Sequence, residues 1–227
     1  VVRCGGVAVM VESDWGTPVD VNAAKEAIAA NPDAKILAFV HAETSTGTRS
    51  DAKTLCKLAA DNDMLNIVDA VTSMAGSELD VDGWGIDAVY SGTQKCLSCV
   101  PGISPVSFSP KAVEVIRTRK TPVQSWFLDM NLIMNYWGQG TQRAYHHTAP
   151  VNSMYALHES LVMLREEGLQ AAWERHALNH KALAAGLEKL GVSLIVGADY
   201  RLPQMNAASI PEGVDEAAVR SALLADY

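Results

Sequence analysis

Short apolar runs alternate with helical patterns over the first two thirds of the chain. The apolar runs lack the strict alternation of a one-sided strand, and they are typical of strands buried on both faces of a parallel sheet. The runs predict strands at residues 7–11, 35–40, 65–68, 88–90 and 105–108. Between them we expect a helix over residues 21–30 and another after the capping pair Ser50 and Asp51, with Leu55, Leu58 and Ala59 at helical spacing.

The pattern changes to long helices beyond Pro150. We expect a helix over residues 153–167 that ends at Gly168, and a second helix that continues to residue 190. The apolar stripe of the first of these helices is formed by Met154, Leu157, Leu161 and Leu164. Two short strands at residues 192–196 and 207–210, and a final helix at residues 215–224, complete the prediction.

This order of elements predicts an α/β fold. We expect a three-layer αβα large domain with a mostly parallel sheet over residues 1–167. An incomplete α+β small domain is expected over residues 168–227.

The composition is that of an ordinary globular protein, with 48% apolar and 19% charged residues among 227. The formal net charge of −8 provides no basic field that would attract nucleic acid or an anionic membrane, so we expect neither as a partner. No stretch reaches the roughly 18 uninterrupted apolar residues of a membrane-spanning helix.

The chain begins at Val1 rather than at a methionine, and it ends at Tyr227 within a predicted helix. Its beginning lacks the basic, apolar and small-residue regions of a signal peptide. We therefore expect an internal fragment of a cytoplasmic protein; a eukaryotic source would also be compatible with a peroxisomal or mitochondrial location.

The 4 cysteines do not predict a disulfide framework, because a chain of this length can build a core without one. Cys96 and Cys99 match a C-x-x-C pattern, but a zinc site would need a second ligand pair at matching spacing. A redox pair of the thioredoxin type remains an alternative to free thiols. The adjacent residues His146 and His147 are not expected to bind a metal, since neighbouring side chains diverge on a helix or a strand.

Polar side chains follow three of the predicted strands, at the point where each strand ends. A hydroxyl cluster with Thr44 follows the second predicted strand, Asp69 follows the third, and Lys95 comes shortly after the fourth. Ligands of open parallel sheets bind in the crevice beyond the carboxyl ends of the strands. If these strands are close neighbours, an acid, a hydroxyl cluster and a lysine meet in one crevice.

Each of these residues also has an ordinary interpretation. Asp69 is equally suited to capping a turn. The hydroxyl of Thr44 could form a hydrogen bond with its own backbone, and Lys95 could carry a solvated surface charge. A metal site that combines Asp69 with His41 and Glu43 fits no known ligand spacing. Together, however, a lysine and a carboxylate suit a Schiff base with a pyridine ring, whose nitrogen needs a carboxylate to keep it protonated.

Five stretches carry a family resemblance, in this order: HAETSTG at residues 41–47, VDAV at 68–71, SGTQK at 91–95, YHHTAP at 145–150 and RLP at 201–203. Together they resemble the class V aminotransferases, pyridoxal-phosphate enzymes of fold type I. The resemblance is greatest to the serine–pyruvate/alanine–glyoxylate aminotransferase group. It extends over essentially the whole chain.

The resemblance implies a role for each matching residue of the cofactor site. Lys95 would hold pyridoxal 5′-phosphate covalently, and Asp69 would pair with the ring nitrogen. Val71 would pack under the ring, Thr44 would bond the phenolic oxygen of the ring, and Gln94 would help to hold the phosphate.

Three further residues receive roles from the same resemblance. Tyr145 and Thr148 would reach the phosphate bound by the neighbouring subunit, which implies a homodimer with shared sites. Arg201 would bind the substrate α-carboxylate through its planar guanidinium group.

The implied activity is a ping-pong transamination between a small amino acid, alanine or serine, and a 2-oxo acid, glyoxylate or pyruvate. Gln94 stands where the related cysteine desulfurases place a histidine, which argues against that activity. Two alternatives remain: a 2-aminoethylphosphonate-type aminotransferase, and a non-catalytic family remnant that acts as a binding or dimerisation module. The family's glycine-rich phosphate loop and stacking tryptophan would lie before Val1, so the fragment by itself is expected to be inactive.

Overall fold

The computed structural model describes residues 1–138 and 144–227. The strands are β1 (Ile36–Val40), β2 (Ala42–Glu43), β3 (Thr48–Arg49), β4 (Leu65–Asp69), β5 (Ala88–Tyr90) and β6 (Val106–Phe108). The helices are α1 (Val21–Ala30), α2 (Ala52–Asp61), α3 (Pro110–Arg117), α4 (Met130–Trp137), α5 (Val151–Glu167), α6 (Leu169–Lys189) and α7 (Glu216–Asp226). Short 3₁₀ turns occupy Val2–Cys4 and Ala198–Tyr200.

A four-stranded sheet in the order β1-β4-β5-β6 forms the centre of the fold. The first three of these strands are parallel, and β6 runs antiparallel to β5. Val40 pairs with Asp69, and Asp69 pairs with Tyr90. The three parallel strands therefore end at the same level, and the residues that follow them emerge at one edge of the sheet.

Helix α2 begins at a capping residue and packs on this sheet through an apolar face. The carboxylate of Asp51 accepts the backbone N–H of Thr54 at the start of the helix. Leu55, Cys56 and Ala59 are fully buried on the face toward the sheet. Burying a leucine of this kind contributes about 1.5–3 kcal/mol. The main core is completed by residues of α1, β1, β4, β5 and the turns after β4 and before β5: Ala24, Phe39, Val68, Ala70, Ile86 and Val89.

Thr44 lies in the loop of a hairpin that is formed by β2 and β3. Its turn includes Gly47 in the left-handed region, with φ +83°. A Cβ atom at this position would lie 2.5 Å from the backbone oxygen of Met205. Glycine is therefore required here both by the backbone conformation and by the close approach of the segment after Arg201.

Most of the predicted elements are confirmed, and the α/β fold with a mostly parallel sheet is among them. The strand predicted at residues 7–11 is wrong: this stretch has no regular structure, and Val7 is 92% exposed. An apolar run forms a strand only where a neighbouring strand satisfies its backbone groups, and no strand among the described residues pairs with it.

The two strands predicted near the end of the chain are shorter than expected. Leu194 and Ala208 form an isolated antiparallel bridge instead of a strand pair. Two residues of the apolar stripe on α5, Met154 and Leu161, are exposed. Gly168 separates α5 from α6, as predicted, but the division into domains 1–167 and 168–227 stays a prediction.

None of the helices in the described parts of the chain combines the length and the apolar character that crossing a membrane requires.

Candidate active site

Asp69 is fixed by two hydrogen bonds at the carboxyl end of β4. Its Oδ1 atom accepts the backbone N–H of Val71 at 2.9 Å, and its Oδ2 atom accepts the hydroxyl of Tyr90 at 2.6 Å. Burial, together with the hydrogen bond to Asp69 and the charge of that carboxylate, raises the pKa of Tyr90 to about 12. A carboxylate has about four acceptor positions, so Asp69 retains capacity for a cationic ligand atom.

Lys95 follows β5 in a turn and is half-buried. It lines a cavity of about 550 Å³, a volume in the range of small-molecule sites. None of the ion pairs formed among the described residues involves Lys95. Residues after three different strands contribute to this cavity, together with the segment after Arg201: Thr44, Thr72, Lys95, Cys96 and Gln204.

Thr72 joins several of these segments. Its hydroxyl lies 2.5 Å from the hydroxyl of Thr44, and the two share a hydrogen bond. Its backbone carbonyl accepts the thiol of Cys96 at 3.2 Å and the side-chain amide of Gln204 at 2.9 Å. Gln204 also donates to the hydroxyl of Ser77 at 2.8 Å. The loops after β2, β4 and β5 and the segment after Arg201 are therefore connected directly.

Arg201 lies beside the hairpin but outside the cavity that Lys95 lines. Its backbone forms an antiparallel bridge with Thr48, and the next residue, Leu202, donates its N–H to the carbonyl of Gly47 at 2.8 Å. The Nε atom of Arg201 donates to the carbonyl of Val196 at 2.7 Å. The side chain lines a second cavity of about 640 Å³, so its role as a carboxylate-binding residue stays a prediction.

The other residues predicted for the cofactor are divided between this cavity and its surroundings. Thr44 and Lys95 line it, whereas Asp69, Val71 and Gln94 do not. Val71 is half-buried and Gln94 is exposed. Their assignments stay predictions, and the structure confirms only that they lie at the ends of neighbouring strands.

Tyr145 and Thr148 lie in an irregular segment before α5. Their hydroxyls are 2.8 Å apart, and both residues are exposed, Tyr145 by 73%. The expectation that His146 and His147 diverge is wrong, because this segment is neither helix nor strand, and their Nδ1 atoms are 2.7 Å apart. His146 is buried and stacks on Trp126 with ring centroids 4.0 Å apart.

His41 is buried directly after β1. Burial, with a smaller contribution from the charge of Arg49, lowers its pKa to about 4, so the imidazole is neutral at neutral pH. Its ring meets that of Trp84 edge to face. Within residues 1–138 and 144–227, no three His, Cys, Asp or Glu side chains cluster in a way that could hold a metal ion. Cys96 and Cys99 are free thiols in the structure.

Three residues of this region were missed by the sequence analysis as site residues: Thr72, Tyr90 and Gln204. The contact of Tyr90 with Asp69 could have been predicted, because the last residues of adjacent parallel strands lie side by side. Thr72 belongs to the polar run after β4, but nothing local distinguishes its hydroxyl from others in the run. Gln204 has no sequence signal, since its partner Thr72 is 132 positions away.

The fold and the position of Lys95 define an α/β protein with a lysine-lined cavity beside the carboxyl ends of its parallel strands. A family model described as aminotransferase class-V matches residues 2–225. The chain belongs to the class V aminotransferases, a family of pyridoxal-phosphate-dependent enzymes. The resemblance drawn from the five sequence stretches is therefore confirmed at the level of the family.

Individual relatives agree with this assignment. The (S)-ureidoglycine–glyoxylate transaminase of Bacillus subtilis is 35% identical over 244 residues, which cover 99% of this chain and 58% of the relative. The alanine–glyoxylate aminotransferase of Felis catus is 40% identical over 182 residues, 79% of this chain and 44% of the relative. The crystal structure of alanine–glyoxylate aminotransferase from Nostoc sp. superimposes with a TM-score of 0.90 at 42% identity, covering 96% of this chain and 57% of that one.

The chain spans somewhat more than half the length of the first of these relatives, 58%.

Proposed function

We propose that the protein is a pyridoxal-phosphate-dependent transaminase. It moves an amino group between a small amino acid, alanine or serine, and a 2-oxo acid, glyoxylate or pyruvate. The observation that carries the proposal is the cavity shared by Lys95 and Thr44, next to the strand end at which Asp69 is fixed. All three proteins described above are named for reactions with glyoxylate, which supports this acceptor.

The residues present fit the cofactor. The cavity of about 550 Å³ has room for a pyridine ring, and Lys95 supplies the amine for a covalent bond. Thr44 supplies a hydroxyl for the phenolic oxygen. Val71, which lies beside the cavity lining rather than in it, is proposed as the apolar contact for the ring face. When bound, the cofactor withdraws electrons from the bonds to the substrate α-carbon.

Asp69 keeps the ring nitrogen protonated by offering a carboxylate that is already oriented. Its bonds to Val71 and Tyr90 hold both oxygens, so little reorientation is needed when a cation arrives. Nζ of Lys95, once released by the incoming amino acid, accepts the proton from the substrate α-carbon and returns it later in the reaction. The reverse sequence with a 2-oxo acid completes a ping-pong cycle.

The phosphate is held by residues of two subunits in this proposal. Gln94 contacts it within one subunit, and the exposed hydroxyls of Tyr145 and Thr148 reach the phosphate of the partner. The exposed aromatic residues Trp126 and Phe127 lie in the same region as these hydroxyls, since both contact the ring of His146. Exposed aromatic side chains are typical of protein interfaces, which supports a homodimer.

Arg201 is proposed to bind the substrate α-carboxylate. Its backbone is joined to the hairpin that carries Thr44, which brings it near the cofactor residues. Its side chain turns away to the carbonyl of Val196. Binding a substrate in the Lys95 cavity therefore requires a rotation of the Arg201 side chain that releases this carbonyl.

The test is an absorbance spectrum of the whole protein with pyridoxal phosphate, followed by borohydride reduction and mass analysis. We expect a visible band, a cofactor covalently fixed to Lys95 after reduction, and loss of both in Lys95→Ala. Addition of L-alanine or L-serine should convert the band to that of the amine form, and glyoxylate should restore it.

Lys57→Ala is the matched control, because Lys57 is an exposed lysine paired with Asp61 on α2. It should leave the spectrum unchanged. A wild-type protein without a visible band at any cofactor concentration would contradict the proposal and favour a non-catalytic member of the family. Conversion by 2-aminoethylphosphonate but by neither alanine nor serine would replace the proposed donor.

A further inference from the structure

The hydroxyl pair of Thr44 and Thr72 lies in the wall of the cavity that Lys95 lines. Thr72 is only 4% exposed, whereas Thr44 is half-buried. A ligand in the cavity therefore reaches the hydroxyl of Thr44 more readily than that of Thr72. The Thr72 hydroxyl is therefore the more buried member of the pair.

The backbone of Thr72 is held from two sides. Its carbonyl accepts the Cys96 thiol, which belongs to the residue after Lys95, and the amide of Gln204, three residues beyond Arg201. These two hydrogen bonds restrain the backbone that carries the Thr72 side chain. The Thr72 hydroxyl therefore projects from a restrained backbone toward the hydroxyl of Thr44.

The direction of the shared hydrogen bond follows from the number of protons. Each hydroxyl has one proton to donate and can accept through its lone pairs. When an anionic oxygen lies against Thr44, the Thr44 proton is donated to that oxygen. The proton of the hydrogen bond between Thr44 and Thr72 must then be donated by Thr72. Hydrogen bonds in such a chain polarise one another, so the donation from Thr72 strengthens the donation from Thr44.

We propose that Thr72 is a positioning residue that directs the Thr44 hydroxyl toward the phenolic oxygen of bound pyridoxal phosphate. This inference rests on the proposed function and on the assignment of Thr44 within it. Thr72 does not touch the cofactor; it acts through Thr44.

A pH titration of the visible absorption tests the proposal. The bond between Lys95 and the cofactor loses a proton as pH rises, and the absorption band changes at that pH. A hydrogen bond to the anionic phenolic oxygen disperses charge that would otherwise hold this proton. In Thr72→Val the bond from Thr44 is weaker, the proton is held more tightly, and we expect the transition about 0.3 pH unit or more higher.

Thr72→Ser retains the hydroxyl and should restore the wild-type transition. Thr72→Ala also lacks the hydroxyl and has a smaller side chain than valine. It should shift the transition in the same direction as Thr72→Val, so the test does not depend on how valine packs. Thr48→Val is the matched control: Thr48 forms a buried hydroxyl pair with Thr46 at 2.8 Å, in the hairpin that carries Thr44 but outside the cavity lining. It should leave the transition at the wild-type pH.

An unchanged transition in Thr72→Val and Thr72→Ala, with a normal visible band, would overturn the inference and leave the proposed function intact. An equal shift in Thr72→Ser would also overturn it, because the effect would then come from packing. A wild-type protein without a visible band would overturn the proposed function and this inference with it.

Discussion

Tyr90 on β5 donates a hydrogen bond of 2.6 Å to Asp69 on β4. The two residues are register partners on parallel strands, so their side chains leave the sheet at the same level. Because the second carboxylate oxygen is held by the N–H of Val71, Asp69 has a defined orientation without any ligand. A site of this kind is prepared for a cation before the cation arrives.

The ionisation of Tyr90 reports on this contact. Burial, the hydrogen bond and the negative charge of Asp69 all stabilise the neutral phenol and raise its pKa to about 12. In Asp69→Asn we expect the pKa to fall toward the ordinary value of about 10 but to stay above it, because burial remains. The ultraviolet absorbance of phenolate at pH about 11 measures the change.

Tyr90→Phe identifies the Tyr90 signal among the 6 tyrosines of the chain. Equal ionisation of Tyr90 in the wild-type protein and in Asp69→Asn would show that Asp69 does not influence the phenol.

Asp69→Asn should also separate cofactor binding from turnover. An amide cannot keep the ring nitrogen protonated, so we expect bound cofactor with a kcat lowered by about 100-fold or more, as for other losses of a preorganised charge. The visible spectrum measures binding, and the rate of conversion with L-alanine measures kcat. Wild-type turnover in this variant would remove Asp69 from the proposed role.

Arg201→Lys should weaken substrate binding alone. A guanidinium binds a carboxylate through two parallel hydrogen bonds, and lysine cannot reproduce this geometry. We expect a KM for the amino acid about 10-fold or more higher, since hydrogen bonds to charged groups contribute about 1.5–3 kcal/mol. Titration with pyridoxal phosphate should show unchanged cofactor affinity.

Arg175→Lys is the comparison for this prediction, because Arg175 forms an ion pair with Glu167 in the lining of the Lys95 cavity. A smaller change in KM there than in Arg201→Lys would assign the carboxylate to Arg201. An unchanged KM in Arg201→Lys would exclude it.

The buried His41 makes stability dependent on pH. Its pKa is lowered to about 4 in the folded protein, mainly by burial, against about 6.5 in the unfolded chain. The stabilising contribution is therefore complete above pH 6.5 and is lost progressively as the pH falls from 6.5 to about 4. Between pH 7 and pH 5 we expect this single group to lower the free energy of unfolding by about 2 kcal/mol.

Urea unfolding of the cofactor-free protein at both pH values measures this loss, and His41→Gln should be less sensitive to the change. His158→Gln is a control for an exposed histidine. An equal pH dependence in His41→Gln and the wild-type protein would show that His41 is not the responsible group.

Much of the fold could be predicted from the sequence because its signals are local. Capping by Asp51 and the spacing of Leu55 and Ala59 identify α2, and largely apolar runs identify β1 and β4. The positions of Asp69 and Lys95 at strand ends follow from the same patterns. The run at residues 7–11 has the same local character but forms no strand, since pairing depends on residues elsewhere in the chain.

The sequence by itself determined the order of the elements, the family and the residues that follow each strand, because periodicity, capping and short motifs are properties of neighbouring residues. Only the tertiary structure decided that Tyr90 holds Asp69, that Thr72 stands behind Thr44, and that the Arg201 side chain turns toward Val196. These contacts depend on strand register and on the docking of segments more than 100 positions apart, such as Gln204 on Thr72. Side-chain direction at such contacts is set by packing in three dimensions, which no local pattern encodes.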